Sequence, residues 1–215
     1  MKWIAIGNIE VGRIVESDGP FMSVFDFFPD ATMEAIEPHR SWLTPNALTS
    51  GTHMLNMPIQ SYIVKTPTST ILIDSCVGNH KTVDWYPAWH NKNDTQYFDS
   101  FKKLGLHPDQ IDVVLCTHLH VDHSGWNTQL VDERWVPTFK NAKYILSRTE
   151  CKHAEMLSVK YGDPTFNENV LPIIEAGQAM LVDDDYEIDE AVRLEPTPGH
   201  TPGHCAIHLS NRGHN

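Results

Sequence analysis

The segment Thr117-His118-Leu119-His120-Val121-Asp122-His123-Ser124-Gly125 constrains this chain more than any other. It directly follows an apolar run, Val113-Val114-Leu115-Cys116, that reads as a buried strand. Polar side chains delivered to a strand end cost free energy unless something binds them. A divalent metal satisfies several imidazoles and a carboxylate at once, which makes His118, His120, Asp122 and His123 candidate ligands. In extended chain, residues two apart share a face, so His118, His120 and Asp122 tend to converge while His123 points differently. A turn in the segment would instead send His118 and His120 to one ion, and Asp122 and His123 to another.

One short segment rarely encloses an ion, so a further ligand is expected from elsewhere. His200 is the best candidate, because Gly199 and Gly203 allow close backbone approach and Pro198 and Pro202 stiffen its loop. Three histidines leave a position open for water, the catalytic pattern for zinc. Such water ionises near pH ~7 and supplies a hydroxide nucleophile. Asp122 is the expected catalytic residue, orienting that water or returning its proton to a leaving group. Metal affinity is expected to fall as pH drops through ~6.5, where protons compete for imidazoles. His204 reads equally as a partner of a ligand or as a structural residue, and Asp74 as a hydrogen-bond partner of the metal loops or a turn cap. His39, His53, His80, His90, His107, His153, His208 and His214 read as ordinary surface or core residues.

The 215 residues suit one domain spanning 1–215, with 40% hydrophobic and 20% charged residues marking a globular chain. A net charge of −12 argues against a nucleic-acid backbone or an anionic membrane as partner. The acidic run Asp183-Asp184-Asp185 reads as a solvated loop. Cys76, Cys116, Cys151 and Cys205 are scattered, which reads as reduced thiols in a cytoplasmic protein. The N-terminus turns polar too soon for a signal peptide, and no apolar stretch is long enough for a membrane span.

Residues 3–16 read as an edge strand or hairpin, and 17–58, rich in Pro, Phe and Met, as an irregular insertion. Ser61–Lys65 and Thr70–Asp74 read as strands around a turn. Apolar spacing at Tyr97, Phe98, Phe101 and Leu104 predicts a helix over 94–104, stopped by Gly105. Ile111–Thr117 is then the strand carrying the motif, and Tyr144–Leu146 another strand. Ser147 and Glu150 have capping-box spacing, which predicts a helix to about Tyr161. Leu171–Gly177 reads as a short helix, and Val192–Glu195 and Cys205–Leu209 as strands flanking the His200 loop. The alternation indicates an α/β domain, and no glycine-rich nucleotide fingerprint occurs.

These motifs resemble the metallo-β-lactamase-fold hydrolase superfamily. Residues 117–123 match its H-x-H-x-D-H signature, Thr197–His204 looks like its second histidine motif, and Thr70–Asp74 is similar to the strand ending in aspartate before the signature. The resemblance runs from about residue 58 to 209. It implies an αβ/βα sandwich with metals at one edge of paired sheets. It also implies that His118, His120 and His200 hold one metal while Asp122 and His123 serve a second. Zn2+, one ion or two, is the default, with manganese, iron or cobalt also suited to the donors.

The residues around both motifs look most like lactonases of acyl-homoserine lactones and related esterases. Phe27–Ala31 and Pro38–Arg40 resemble larger members, including organophosphate hydrolases, and the insertion reads either as a substrate wall or as ordinary packing. In the family a further strand supplies a bridging aspartate, and a last histidine follows. No residue up to Asn215 matches either, so the second site is incomplete as written. A fragment of a longer protein is the expectation, with truncation or completion by another subunit as alternatives.

The leading expectation is a hydrolase that turns a metal-bound hydroxide on a small ester, most of all a lactone. A glyoxalase II-like thioesterase and an organophosphate hydrolase are the alternatives among hydrolases. An iron-dependent sulfur oxygenase shares the ligands. A non-catalytic metal-binding fragment or scaffold is the alternative of another class. A homo-oligomer is left open.

Overall fold

The computed structural model describes residues 3–211, so His214 lies outside the described residues. β1 (Ile4–Ile6) and β2 (Ile9–Ser17) form the expected N-terminal hairpin. The insertion then builds β3 (Pro20–Ser23), three one-turn helices α1 (Val24–Phe27), α2 (Met33–Ile36) and α3 (Arg40–Leu43), and β4 (Met54–Asn56), which pairs with β3. β5 (Ile59–Lys65) and β6 (Thr70–Ile73) are the expected antiparallel pair.

α4 (Gln96–Lys103) buries Tyr97 and Phe101 and stops at Gly105, whose φ of 72° suits a residue without a Cβ. β7 (Val113–Leu115) leads to the one-turn α5 (Val121–Ser124). β8 (Thr128–Val131) and β9 (Arg134–Pro137) follow, then β10 (Lys143–Ser147) and the long α6 (Arg148–Tyr161). α7 (Leu171–Glu175), β11 (Ala179–Val182), β12 (Val192–Pro196) and β13 (Cys205–Leu209) complete the described chain.

Seven strands form one mixed sheet in the order β1-β2-β5-β6-β7-β10-β11. The half from β6 to β11 is parallel. Its inner strands β6 and β7 and most of β10 are apolar on both sides, as parallel strands buried on two faces must be. Side-chain alternation splits them between two cores. Leu72, Val114, Tyr144 and Leu146 face the core that takes in Tyr97 and Phe101 of α4. Ile71, Ile73, Leu115 and Ile145 face a second core, closed by Val192, Leu194 and Cys205 of the β12–β13 pair.

Parallel strands also place their C-terminal ends along one edge, the position where α/β sheets gather ligands. The residues after β6, β7 and β10 therefore meet there. β7 is shorter than the expected Ile111–Thr117, because beyond Leu115 the chain leaves the sheet and the Thr117 N–H donates to Asp74 Oδ1 (2.8 Å) instead of a strand. Among the described residues no helix is long and apolar enough to cross a membrane. All four cysteines are free and buried.

Candidate metal centre

Asp74 leaves β6 in the left-handed region (φ 57°), and Cys76 two residues later does the same (φ 51°). The resulting tight coil aims the Asp74 carboxylate back across the sheet edge. It accepts the Thr117 hydroxyl (3.0 Å to Oδ2) as well as the Thr117 N–H, and Oδ2 lies 2.8 Å from His123 Nδ1. Of the two sequence readings for Asp74, the hydrogen-bonding one describes the structure.

Past His120 the chain turns helical, with the Ser124 N–H donating to the His120 carbonyl (3.1 Å). The expected two-residue alternation therefore ends at His120. Asp122 follows helical geometry, and its Oδ2 lies 3.4 Å from His123 Nε2. Gly125 closes this turn against the Asp74 coil. Its N–H donates to the Cys76 carbonyl (2.8 Å), and a Cβ there would lie 1.7 Å from the Val77 carbonyl oxygen.

The loop between β12 and β13 folds back over this edge. The Cys205 N–H donates to the Thr117 carbonyl (2.9 Å), and the Thr197 N–H to the His204 carbonyl (2.8 Å). His200 thereby comes to the motif, with its Nε2 3.0 Å from His120 Nδ1. Ring centroids lie 4.8 Å apart for His118 and His120, 4.8 Å for His118 and His200, and 4.7 Å for His120 and His200. One ring nitrogen from each falls within 4.8 Å of the others. His204 is bound to Thr197 Oγ1 (2.8 Å), and its ring stands 5.1 Å from that of His118.

The donor set fits a divalent metal. His118 is buried; its Nδ1 lies 3.1 Å from Thr117 Oγ1, while its Nε2 is buried with no hydrogen-bond partner. A buried polar nitrogen left unmatched costs free energy, and a cation among three imidazoles removes that cost. Burial, then the neighbouring imidazoles of His123, His120, His200 and His204, push the His118 pKa down to about 2. Its lone pair is therefore free of a proton. His120 is lowered too, by burial first and then by His200.

His123 behaves in the opposite way. Burial opposes its charge, but the carboxylates of Asp122 and Asp74 outweigh burial and push its pKa up to about 10. Asp122 is held below the usual carboxylate range, because the hydrogen bond and charge of His123 outweigh its own burial. Asp122 and His123 pair with each other beside the three-histidine cluster. The other described histidines stand outside that cluster.

Two partners of the site escaped the sequence reading, the Trp85–Trp89 pair and the side-chain role of Glu150. Trp85 and Trp89, from the segment between β6 and α4, line a cleft of about 460 Å³ together with the histidines, and Phe21, Phe27 and Met57 of the insertion line it as well. The insertion thus contributes wall as well as packing. The second partner is Glu150, which the capping-box spacing places at the start of α6. Ser147 Oγ does accept the Glu150 N–H (3.0 Å), but the Glu150 carboxylate accepts the N–H groups of Leu119 (3.2 Å) and Gly203 (2.7 Å). The serine-to-glutamate spacing marked the helix start correctly and left the role of the Glu150 side chain unread.

A model of the metallo-beta-lactamase superfamily matches residues 56–215. The N-acyl homoserine lactonase of Bacillus thuringiensis is 28% identical over 174 residues, a match covering 76% of this chain and 62% of that protein. The chain therefore spans less than two thirds of the length of this curated relative. Among solved structures, the hydrolase AbOPH of the beta lactamase superfamily superposes with a TM-score of 0.76 at 21% identity, covering 98% of this chain and 70% of that one. AidC, a dizinc quorum-quenching lactonase solved with its product, gives a TM-score of 0.69 at 20% identity, covering 99% and 71%. Both share the fold described above. With the histidine motifs, the parallel half-sheet and the family match in agreement, the chain belongs to the metallo-beta-lactamase superfamily.

Proposed function

We propose that this chain carries the metal site of a hydrolase that opens a small ester, a lactone in the first instance, with zinc as its ion. The observation that carries the reading is the convergence of His118, His120 and His200, with an unpartnered, buried His118 Nε2, in the lining of an aromatic-walled cleft. The lactonase names of the sequence relatives support the lactone over other esters.

His118, His120 and His200 would hold one ion, and Asp122 with His123 would serve a second. A divalent ion there supplies Lewis acidity toward a carbonyl oxygen and lowers the pKa of coordinated water. The chain's own groups do the rest. Asp74 fixes the His123 ring and the Thr117 backbone through its two oxygens, so the ligand loop is oriented before substrate arrives. Asp122, ionised at neutral pH, accepts the O–H of the attacking water at its carboxylate and passes a proton to the departing alkoxide oxygen. Phe27, Trp85 and Trp89 exclude water and take the apolar part of the ester. Manganese, iron or cobalt suits the same donors.

A panel of lactone, thioester and phosphotriester, assayed with zinc-loaded protein, tests the reading. Lactone turnover is expected to exceed the other two, and Asp122→Asn to reduce it by roughly 10²–10⁴-fold. Full activity of His118→Ala in the presence of chelator contradicts it, and a preference for thioester moves the substrate to the glyoxalase II type.

A further inference from the structure

We infer that Glu150 is a positioning residue for the metal centre: its one buried carboxylate ties together the two loops that deliver the histidines. The inference rests on the three-histidine reading of the site. Glu150 is 2% exposed. Its Oε2 accepts the N–H of Leu119, the residue between His118 and His120, and its Oε1 accepts the N–H of Gly203 on the His200 loop. The two loops belong to parts of the chain about eighty residues apart, as the His120–His200 contact shows. Glu150 stands in the first turn of α6, whose 14 residues and Ser147 cap give the carboxylate a rigid mount.

The approach is close as well as hydrogen-bonded. A Cβ on Gly203 would lie 2.6 Å from Ser147 Oγ and 2.8 Å from the Glu150 backbone nitrogen, so the loop fits against α6 only with glycine. Replacing the carboxylate by an amide turns an N–H toward one of the two N–H donors. One loop is then released, and the spacing of His200 from His118 and His120 is no longer held.

The test is a zinc titration against a competing chelator at neutral pH, on metal-free protein shown to be folded by circular dichroism. The unaltered chain binds zinc; Glu150→Gln binds it roughly 10–100-fold more weakly, the range for partners that orient ligands. Folded Glu150→Gln with unchanged affinity overturns the inference, because a purely structural role would lower thermal stability and leave the affinity of folded protein alone. No zinc binding by the unaltered chain overturns the metal reading, and this inference with it. Gly203→Ala, which keeps the carboxylate but lifts the loop, gives the same loss in the same titration, and unchanged affinity there counts equally against the tie. Amide exchange needs no substitution: slow exchange of both Leu119 and Gly203 in the metal-free chain is expected, and fast exchange of either is contrary.

Discussion

At the scale of single residues, the site holds two histidines pushed in opposite directions a few ångströms apart, His118 down to about 2 and His123 up to about 10. An unfolded histidine titrates near ~6.5. As pH falls below that value the unfolded chain takes a proton that His118 refuses, so stability is lost toward acid. His123 binds its proton more tightly when folded, so its contribution is complete below ~6.5 and is lost as pH rises through about 10. For the metal-free chain, the pair places highest stability near pH ~6.5, with lower unfolding midpoints on both sides, measurable by thermal scans across pH. A midpoint that only rises from pH ~6.5 to ~9 would contradict the His123 arm.

The same values bear on the expectation that metal affinity falls as pH drops through ~6.5. His118 and His120 are both depressed, so protons compete for those two imidazoles only at lower pH, while a second ion must displace a proton from His123. Asp74→Asn isolates the cause. Without that carboxylate the His123 pKa, followed by NMR in the metal-free chain, is expected to move down from about 10, and no movement would mean Asp74 does not hold it.

At the scale of elements, the legible parts were those where one physical rule dominates. The helix around Tyr97 and Phe101 follows from apolar spacing and its glycine stop, and the strands at 59–65 and 70–73 from β-branched runs. The β8–β9 hairpin was missed, because Asp132 and Glu133 take the positive-φ turn positions that glycine or asparagine normally announces (φ 47° and 60°). The five-residue π-helical turn Phe166–Val170, which extends the turn before α7, carries no sequence signal either.

The one-turn α5 is set by contacts rather than by propensity, and Gly125 is the contact that matters most. Gly125→Ala would drive a methyl into the Val77 carbonyl group, and a loss of about 3 kcal/mol in denaturant unfolding is expected. A change within a few tenths would show that the Asp74 coil and α5 are not closely apposed. Ser147→Ala removes the cap of α6 and is expected to cost about 1 kcal/mol.

At the scale of the whole molecule, the two cores on either face of the sheet are built from side chains that do not depend on an ion. Chelation is therefore expected to abolish turnover while leaving the far-ultraviolet circular dichroism spectrum unchanged. Unfolding on chelation would mark the metal as a structural element, as in small domains that fold around zinc. The His118–His123 cluster was visible in the sequence because six residues carried four donors. The return of His200 was visible through the glycines and prolines around it. The insertion's share of the cleft wall was one of two sequence readings, whereas the share of Trp85 and Trp89 and the Glu150 tie were not visible, since both depend on which segments meet across the sheet edge rather than on any local pattern.

The most direct measurement is anomalous scattering at the zinc edge from crystals of the zinc-loaded chain. A peak lying about 2.0–2.1 Å from one nitrogen each of His118, His120 and His200 is the expected result. Zinc bound elsewhere, with those three rings in their present places and no peak between them, would contradict the account.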